Sequence, residues 1–286
     1  MKSKSSLSHR GLEPEEHVLY IVGTPIGNLD DISFRALSIL KNVSLIACED
    51  TRQTRKIMSK FNFENSLTSF NKENSYRKIP KLINYLKSGK TMALVSDAGM
   101  PGICDPGEDL VRNAKINGIE AICIPGPCAA INALISSGMP CSKFIFEGFL
   151  PKKKKDREEI LLDISKREKT TILFESPHRL YKLLKELIDF CGGHREIQVS
   201  REITKKYEEH INSSANDLLG YFEKKELFGE FTLVIKGKES KEKEFNKFLI
   251  KKELDELIDA GLSLSAASSY LAKKKNLTKS EIYNLH

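Results

Sequence analysis

The sequence lacks the features that would place the protein in a membrane or in an oxidising compartment. No apolar run among its 286 residues is long enough to span a bilayer. The opening stretch, MKSKSSLSHRGLEPEEH, is too polar for a signal peptide, and residues 1–16 are predicted to form a flexible tail. The six cysteines form no CxxC pair, a spacing that argues against a zinc site or a disulfide framework. The sequence therefore predicts a cytoplasmic protein with no membrane partner and no metal.

The common signatures of nucleotide-binding and hydrolytic enzymes are also missing. There is no GxGxxG fingerprint, and no GK[ST] follows the glycine-rich stretch at 23–28 to make it a P-loop. Neither a serine hydrolase elbow nor a glycosidase pair of carboxylates is evident. The charge is informative instead: the formal net charge of +7 favours a polyanionic partner, although lysine-rich proteomes also produce basic chains without such a function.

Apolar and amphipathic segments alternate through the first part of the chain. This rhythm predicts an α/β domain over 17–125 with a parallel sheet, whose strands lie near 18–22, 43–48, 67–70, 91–95 and 119–124. In a second α/β domain, 126–236, three predicted strands follow with fewer helices between them, which indicates a mixed sheet. These last strands are expected near 195–201, 204–211 and 230–236.

A charged segment, GKESKEKEF at 237–245, is predicted to be a linker. Beyond it, 246–286 is expected to form three short helices near 247–260, 264–274 and 278–285. Two interpretations of this module stay open: a helix-turn-helix unit, or a packing appendage or dimer contact.

Glycine and proline cluster after several predicted strands, above all in LVSDAGMPGICDPG at 94–107. This central loop is expected to lead into a helix with Asp105 as N-cap and Pro106 at its first position. Similar loops follow three other strands: GTPIGN at 23–28, PGPCA at 125–129 and ESPHRL at 175–180. Such loops at the carboxyl edge of a sheet predict a pocket walled by main chain, suited to an aromatic base with a polar tail.

Seven ordered motifs closely resemble the ribosomal RNA small-subunit methyltransferase I family, within the tetrapyrrole methylase superfamily. They are GTPIGNLDDIS, CEDTR, VSDAGMPGICDPG, PGPCA, FEGFLP, FESPHRL and REITKKYEE, spread over 17–236. The resemblance implies two α/β domains of tetrapyrrole-methylase type with a helical extension. It also implies an activity, methyl transfer from S-adenosylmethionine to the ribose 2′-oxygen of a cytidine in the decoding region of 16S rRNA, and a homodimer.

The resemblance further implies cofactor contacts in three of the loops. These fall at Pro25, Asp97, Ala98, Gly99, Met100, Ile103, Cys128 and Ala129, with Glu175 as an addition from the second domain. The family usually has Thr at position 100 and Ser at positions 104 and 128, so Met100, Cys104 and Cys128 would weaken any hydroxyl hydrogen bond there.

The 2′-hydroxyl must also lose its proton during transfer. The candidates for general base are Glu175, His178 and Asp50, with Arg52, Arg179 or Lys205 available to lower the hydroxyl pKa or to hold phosphate. His178 has an alternative place in the first turn of its helix, and Asp50 an alternative role as a cap and ion-pair partner of Arg52.

The lysine run at the start of PKKKKDRE is either a solvated helix start or a clamp on rRNA phosphates, through Lys152, Lys153 and Lys154. Phe149 and Tyr207 are candidates for stacking on a flipped base. Two other functions stay open: methylation of a tetrapyrrole carbon, and a non-catalytic role in ribosome binding or assembly.

Overall fold

The computed structural model describes residues 13–239, 241–275 and 277–286. In the helix that begins at Lys241, it describes the side chains from residue 247 onward. The chain divides into two compact units, Met1–Gly237 and Lys238–His286. Most of the predicted N-terminal tail lies outside the described residues. Within its last part, the Glu13 carboxylate accepts hydrogen bonds of 2.8 and 2.6 Å from the Arg35 guanidinium.

A parallel five-stranded sheet forms the first half of unit 1, as the alternation predicts. Its strands are β1 (Val18–Val22), β2 (Leu45–Cys48), β3 (Leu67–Ser69), β4 (Met92–Val95) and β5 (Glu120–Ile124). They lie side by side in the order β3-β2-β4-β1-β5. The helices that connect them are α1 (Phe34–Asn42), α2 (Thr51–Lys60), α3 (Ser75–Lys87) and α4 (Glu108–Ile116).

Helices cover both faces of this sheet, and its central strands β1 and β4 are apolar and buried at every residue. In β1, Tyr20 faces the cluster that includes Ile39 of α1, while Leu19 faces the cluster that includes Leu86 of α3. All the carboxyl ends of parallel strands point to one edge, which places the loops after β1, β2, β4 and β5 together.

The second sheet of unit 1 is mixed, which confirms the predicted α/β fold class with one parallel and one mixed sheet. Its strands are β6 (Phe144–Phe149), β7 (Thr170–Glu175), β8 (Glu196–Arg201), β9 (Glu209–Ser214) and β10 (Phe231–Ile235), in the order β6-β7-β10-β8-β9. Only β6 and β7 pair in parallel. The helices are α5 (Ala129–Ser136), α6 (Lys154–Lys166), α7 (Pro177–Cys191) and α8 (Ala215–Glu223).

Helix α5 links the two sheets. It begins directly after the loop that follows β5, and its Ala130 and Leu134 pack with Ile172 and Val234 of the second sheet. Ile26, from the loop after β1, joins the same cluster. The edge of the first sheet that carries the loops is therefore held against the second sheet within one unit.

Two local predictions are wrong. Helix α4 begins at Glu108 with Gly107 as N-cap and has no side-chain cap, so Asp105 and Pro106 precede the helix. The Asp105 side chain therefore does not cap this helix. The strand expected at 204–211 runs instead over Glu209–Ser214, because Glu202 and Thr204 adopt left-handed backbone angles of φ 51° and 68° that end the preceding strand in a tight turn.

Unit 2 consists of three helices, as expected from the sequence. They are α9 (Lys241–Asp259), α10 (Leu264–Lys275) and α11 (Lys279–Tyr283). The first begins several residues earlier than predicted, inside the charged segment. Leu254, Ala267, Leu271 and Ile282 form their buried core. Across the described part of both units, no helix has the length and hydrophobicity that crossing a bilayer requires.

Candidate active site

Three loops at the carboxyl edge of the first sheet contact one another through their main chains. Thr24 and Gly99 exchange backbone hydrogen bonds of 2.9 and 3.0 Å, which join the loop after β1 to the central loop after β4. The loop after β5 approaches just as closely, because a Cβ added to Gly126 would lie 2.7 Å from the Cα of Gly23. Only glycine permits this approach, so the glycines of two predicted motifs are explained by packing between loops.

The central loop is wound tightly between β4 and α4. Gly99 and Gly102 have positive φ angles of 75° and 87°, which glycine adopts without steric cost. Cys104 also lies in the left-handed region, at φ 66°, where a side chain is unfavourable. Its thiol faces the second sheet, since a Cβ on Gly148 of β6 would come within 2.7 Å of the Cys104 Sγ.

A cavity of about 310 Å³ opens beside these loops, with its other wall formed by the second sheet. Its lining is mostly apolar, with a few polar groups, which is typical of a site for an organic ligand. The residues that line it are Ile26, Ala98, Gly99, Met100, Ile103, Cys104, Asp105, Cys128, Ala129, Phe149, Phe174, Glu175, Ser176, Pro177, Gly229, Glu230, Phe231 and Thr232.

The structure brings together most of the residues predicted to contact a cofactor. Six of the eight line the cavity: Ala98, Gly99, Met100, Ile103, Cys128 and Ala129. Pro25 does not, and its neighbour Ile26 takes that place. Asp97 is also absent from the lining. Its carboxylate points to the end of the neighbouring strand β2, where it accepts a 2.9 Å hydrogen bond from the Asp50 backbone N–H.

Several lining residues were not predicted as site residues. Asp105 lies within the DPG sequence of the central loop, and this motif could have identified it as a site residue. Its side chain was instead predicted to cap the following helix. The segment 229–232 carried no signal, since only the pairing of β10 with β7 brings it to the cavity.

Of the four predicted catalytic residues, Glu175 alone is among the described residues that line the cavity. Its side chain is 1% exposed, with Oε1 3.4 Å from the Arg179 Nε and Oε2 3.6 Å from an Arg157 nitrogen. Oε1 also accepts a 2.8 Å hydrogen bond from the Ser176 backbone N–H. Oε2 makes no hydrogen bond to any described residue. The two guanidinium groups and the Ser176 N–H fix this carboxylate in place, and its Oε2 can accept a hydrogen bond from a ligand.

Asp50 and Arg52 pair with each other, which is the alternative that the sequence left open. The Asp50 carboxylate accepts hydrogen bonds from Arg52 Nε and Nη2 at 3.0 and 2.6 Å and caps α2 through the Arg52 backbone N–H at 2.8 Å. The Arg52 side chain and backbone N–H hold the pKa of Asp50 at about 2. Asp50 is outside the cavity lining, and such an acidic carboxyl is a weak base, so the structure argues against its predicted catalytic role.

His178 is the third candidate base, and it lies outside the cavity lining. It is the second residue of α7, immediately after Pro177, and its side chain is exposed. The structure therefore matches the alternative place in the first helical turn.

Three further carboxyls lie around the central loop and have raised pKa values. Burial is the main cause for each of Glu49, Asp97 and Asp105. Their mutual repulsion adds to the effect, because the charges of Asp97 and Asp105 both raise the pKa of Glu49. The ammonium of Lys72 opposes it at Glu49 and Asp105. Of the three, only Asp105 lines the cavity.

The basic residues predicted to contact RNA fall into two groups. Arg179 is occupied by Glu175 and by the Leu150 carbonyl, which accepts a 2.8 Å hydrogen bond. Lys205 pairs with Glu202 and Glu230 at 2.8 and 3.0 Å, and although burial lowers its pKa, these carboxylates raise it above the ordinary value. The three lysines at 152–154 are instead exposed. No described cluster of three or more His, Cys, Asp or Glu side chains could hold a metal ion.

Comparison with known proteins agrees with this architecture. Residues 18–219 match the family of tetrapyrrole (corrin/porphyrin) methylases. The crystal structure of a cobalamin biosynthetic enzyme, cobalt precorrin-4 methyltransferase, superposes with a TM-score of 0.58 over 77% of this chain and 95% of the other, at 17% identity. This likeness confirms the predicted tetrapyrrole-methylase fold.

Relatives with higher sequence identity are named for a more specific activity than the tetrapyrrole methylase family. The ribosomal RNA small subunit methyltransferase I of Bacillus subtilis is 39% identical over 94% of both chains. That of Thermotoga maritima is 46% identical over 77% of this chain and 99% of its own length. With this identity over most of its length, the chain belongs to the ribosomal RNA small subunit methyltransferase I family, within the tetrapyrrole methylases.

Proposed function

We propose that the protein transfers a methyl group from S-adenosylmethionine to the ribose 2′-oxygen of a cytidine in the decoding region of 16S rRNA. The observation that carries this proposal is the cavity at the junction of the two sheets, whose loops hold the motifs that resemble those of the methyltransferase I family. In this proposal, the protein acts in the cytoplasm, and its partner is 16S rRNA in the small ribosomal subunit.

The residues of the cavity fit S-adenosylmethionine. The walls include apolar side chains such as Ile26, Ile103 and Phe174, which suit the adenine ring and the carbon chain of this cofactor. The Oε2 of Glu175, which makes no hydrogen bond within the described residues, can accept one from an amino or hydroxyl group of the ligand. When bound, this cofactor supplies an electrophilic methyl group on a positively charged sulfur.

The protein's contribution to the reaction is chiefly to position the reacting groups. Methyl transfer from a sulfonium needs the attacking oxygen, the methyl carbon and the leaving sulfur in line, and positioning of this kind lowers the barrier substantially. The paired loops at Thr24 and Gly99 give one rigid wall. Phe149, which is 54% exposed and packs edge-on against Phe174, lines the cavity mouth and suits stacking of a base.

The exposed lysines 152–154 are proposed to hold rRNA phosphates. They precede or begin α6, whose following residue Arg157 points into the protein towards Glu186 at 2.7 Å. The run therefore presents its charge outward from an anchored helix. Arg179 and Lys205, by contrast, support the site through their carboxylate partners.

The direct test is transfer of labelled methyl from S-adenosylmethionine to small ribosomal subunits that lack the modification. The expected result is one labelled 2′-O-methylcytidine, mapped to the decoding region by primer extension. Cofactor binding with no transfer to rRNA, together with labelling of a porphyrinoid, would favour the tetrapyrrole reaction. RNA binding without cofactor binding would indicate an assembly protein that has lost catalysis. The homodimer implied by the resemblance is tested by light scattering of the same preparation.

A further inference from the structure

The proposed reaction requires a group that accepts the proton of the 2′-hydroxyl, and the predicted candidates do not supply it. Asp50 is paired and strongly acidic, His178 lies outside the cavity, and Glu175 is held between two guanidinium groups. Among the described residues that line the cavity, the remaining carboxylates are Asp105 and Glu230. Glu230 is 3.0 Å from Lys205 and forms an ion pair with it.

Asp105 differs from these groups in both position and surroundings. It lies on the central loop five residues after Met100, and both residues line the same cavity. The left-handed turn at Cys104, directly before it, holds the loop in a strained conformation at this point. The carboxyl is only partly buried, so a substrate in the cavity can reach it.

We infer that Asp105 is the catalytic base that accepts the proton of the ribose 2′-hydroxyl. This inference rests on the proposed function. In the step, the O–H bond of the ribose breaks and its proton moves to the Asp105 carboxylate. The oxygen forms a bond to the methyl carbon as the bond between that carbon and sulfur breaks, and the bonding electron pair stays on sulfur. The products are the 2′-O-methyl ribose, neutral S-adenosylhomocysteine and a protonated Asp105 that releases its proton to water.

The groups around Asp105 favour this role. Burial raises its pKa, the Ser96 hydroxyl and the Lys72 ammonium oppose the increase, and the charge of Asp97 adds to it. Glu49 faces the same group, and the thiol of Cys104 is adjacent in the chain. A carboxylate whose pKa is raised by burial binds a proton more readily than an ordinary aspartate, which suits a general base.

The test compares Asp105→Asn with the wild type and with Asp109→Asn. Asp109 is an exposed carboxylate four residues away that pairs with Arg112 in the first part of α4, so its variant controls for the loss of one charge. We expect kcat to fall by about 10²- to 10⁴-fold in Asp105→Asn, the range typical of a lost general base. Asp109→Asn should keep wild-type turnover. Asp105→Glu, which restores a carboxylate, should recover part of the rate.

Two further measurements separate this role from a structural one. Affinity for S-adenosylmethionine by calorimetry should be nearly unchanged in Asp105→Asn. Its melting temperature should rise at pH 7, because the wild type ionises a partly buried carboxylate there, and the gain should vanish below about pH 3.8, where the carboxyl is protonated in both folded and unfolded chains. The acid limb of the wild-type kcat profile should lie above the ordinary pKa of aspartate.

The outcomes distinguish the two proposals. If the wild type transfers no methyl group to the small subunit, the proposed function fails. If the wild type is active and Asp105→Asn retains more than about a tenth of its kcat, or if cofactor affinity falls in parallel with rate, Asp105 is not the base.

Discussion

At the scale of single residues, the start of α5 illustrates how one atom changes a local interaction. Cys128 is the N-cap of this helix, with extended backbone angles of φ −144° and ψ 110°, but its side chain makes no capping hydrogen bond. A serine hydroxyl at the same position is a preferred cap, whereas a thiol is a weak acceptor. The backbone is thus already arranged for a cap that the side chain does not provide.

Replacing Cys128 with Ser should therefore stabilise the protein. We expect the free energy of unfolding to rise by about 0.5–1 kcal/mol, measured by urea denaturation, because the hydroxyl accepts a hydrogen bond from a free backbone N–H of the first turn. Cys141→Ser, at an exposed loop position, serves as the control and should change stability little. A loss of stability, or an equal gain in both variants, would show that the cap is not formed.

Individual site residues were predictable where a motif fixes the main chain. Of the eight cofactor contacts that the family resemblance implies in the glycine and proline loops, six line the cavity, because the backbone conformation of such loops is encoded locally. The roles of carboxylates were not predictable in the same way. Asp50 pairs within its own turn, while Glu175 is held by Arg157, which is distant in sequence, so only the tertiary structure separates them.

At the scale of elements, α6 combines an inward anchor with an outward charge. Arg157 is buried at 3% exposure, while lysines 152–154 before it are exposed. Because the helix is fixed by the buried side, changes to the exposed lysines should leave the fold unaffected.

Replacing Lys152, Lys153 and Lys154 with Gln should weaken binding to the small subunit and reduce its salt dependence. Each lost phosphate contact lowers the slope of log K against log [salt] by about 0.7–0.9, so the slope should fall by about 2–3. Filter binding at several salt concentrations measures it. The matched control replaces Lys87, Lys90 and Lys115, three exposed lysines at the opposite edge of the first sheet. An equal change in slope in both variants would contradict a phosphate clamp at 152–154.

The prediction of elements failed mainly where a turn depends on distant partners. The segment 204–208 has the composition of a strand but forms a turn in which the Thr204 backbone N–H donates to Glu208 and Lys205 pairs with Glu202 and Glu230. Thr204 also accepts a hydrogen bond from the Asn28 backbone N–H in the loop after β1, at 3.2 Å. Such a contact, 176 residues apart in sequence, leaves no local signal.

At the scale of the whole molecule, the cavity lies within unit 1, and unit 2 has a core of its own. Cofactor binding is therefore expected to depend on unit 1 alone.

Replacing Leu271 with Ala tests this division. Leu271 is 1% exposed in the core of unit 2, and a buried Leu→Ala change costs about 2–5 kcal/mol, a large fraction of the stability of so small a unit. Hydrogen exchange should show unit 2 opening, while calorimetry should show unchanged affinity for S-adenosylmethionine. Leu262→Ala, at a partly exposed position of the same unit, should change neither. Loss of cofactor affinity in Leu271→Ala would mean that unit 2 supports the site.

The most direct measurement of the whole arrangement is calorimetric titration of S-adenosylmethionine into the wild type, Gly126→Ala and Gly220→Ala. The added methyl at position 126 would lie 2.7 Å from the Gly23 Cα and force two cavity-forming loops apart, whereas Gly220 in α8 has open space. Overpacking of this kind costs about 1–3 kcal/mol of folding stability, and each 1 kcal/mol that falls specifically on the cofactor-bound loops weakens binding about fivefold. We predict one site per chain in the wild type, affinity weakened by about fivefold or more in Gly126→Ala, and wild-type affinity in Gly220→Ala. Wild-type affinity in a folded Gly126→Ala protein would contradict the assignment of the cofactor to this cavity.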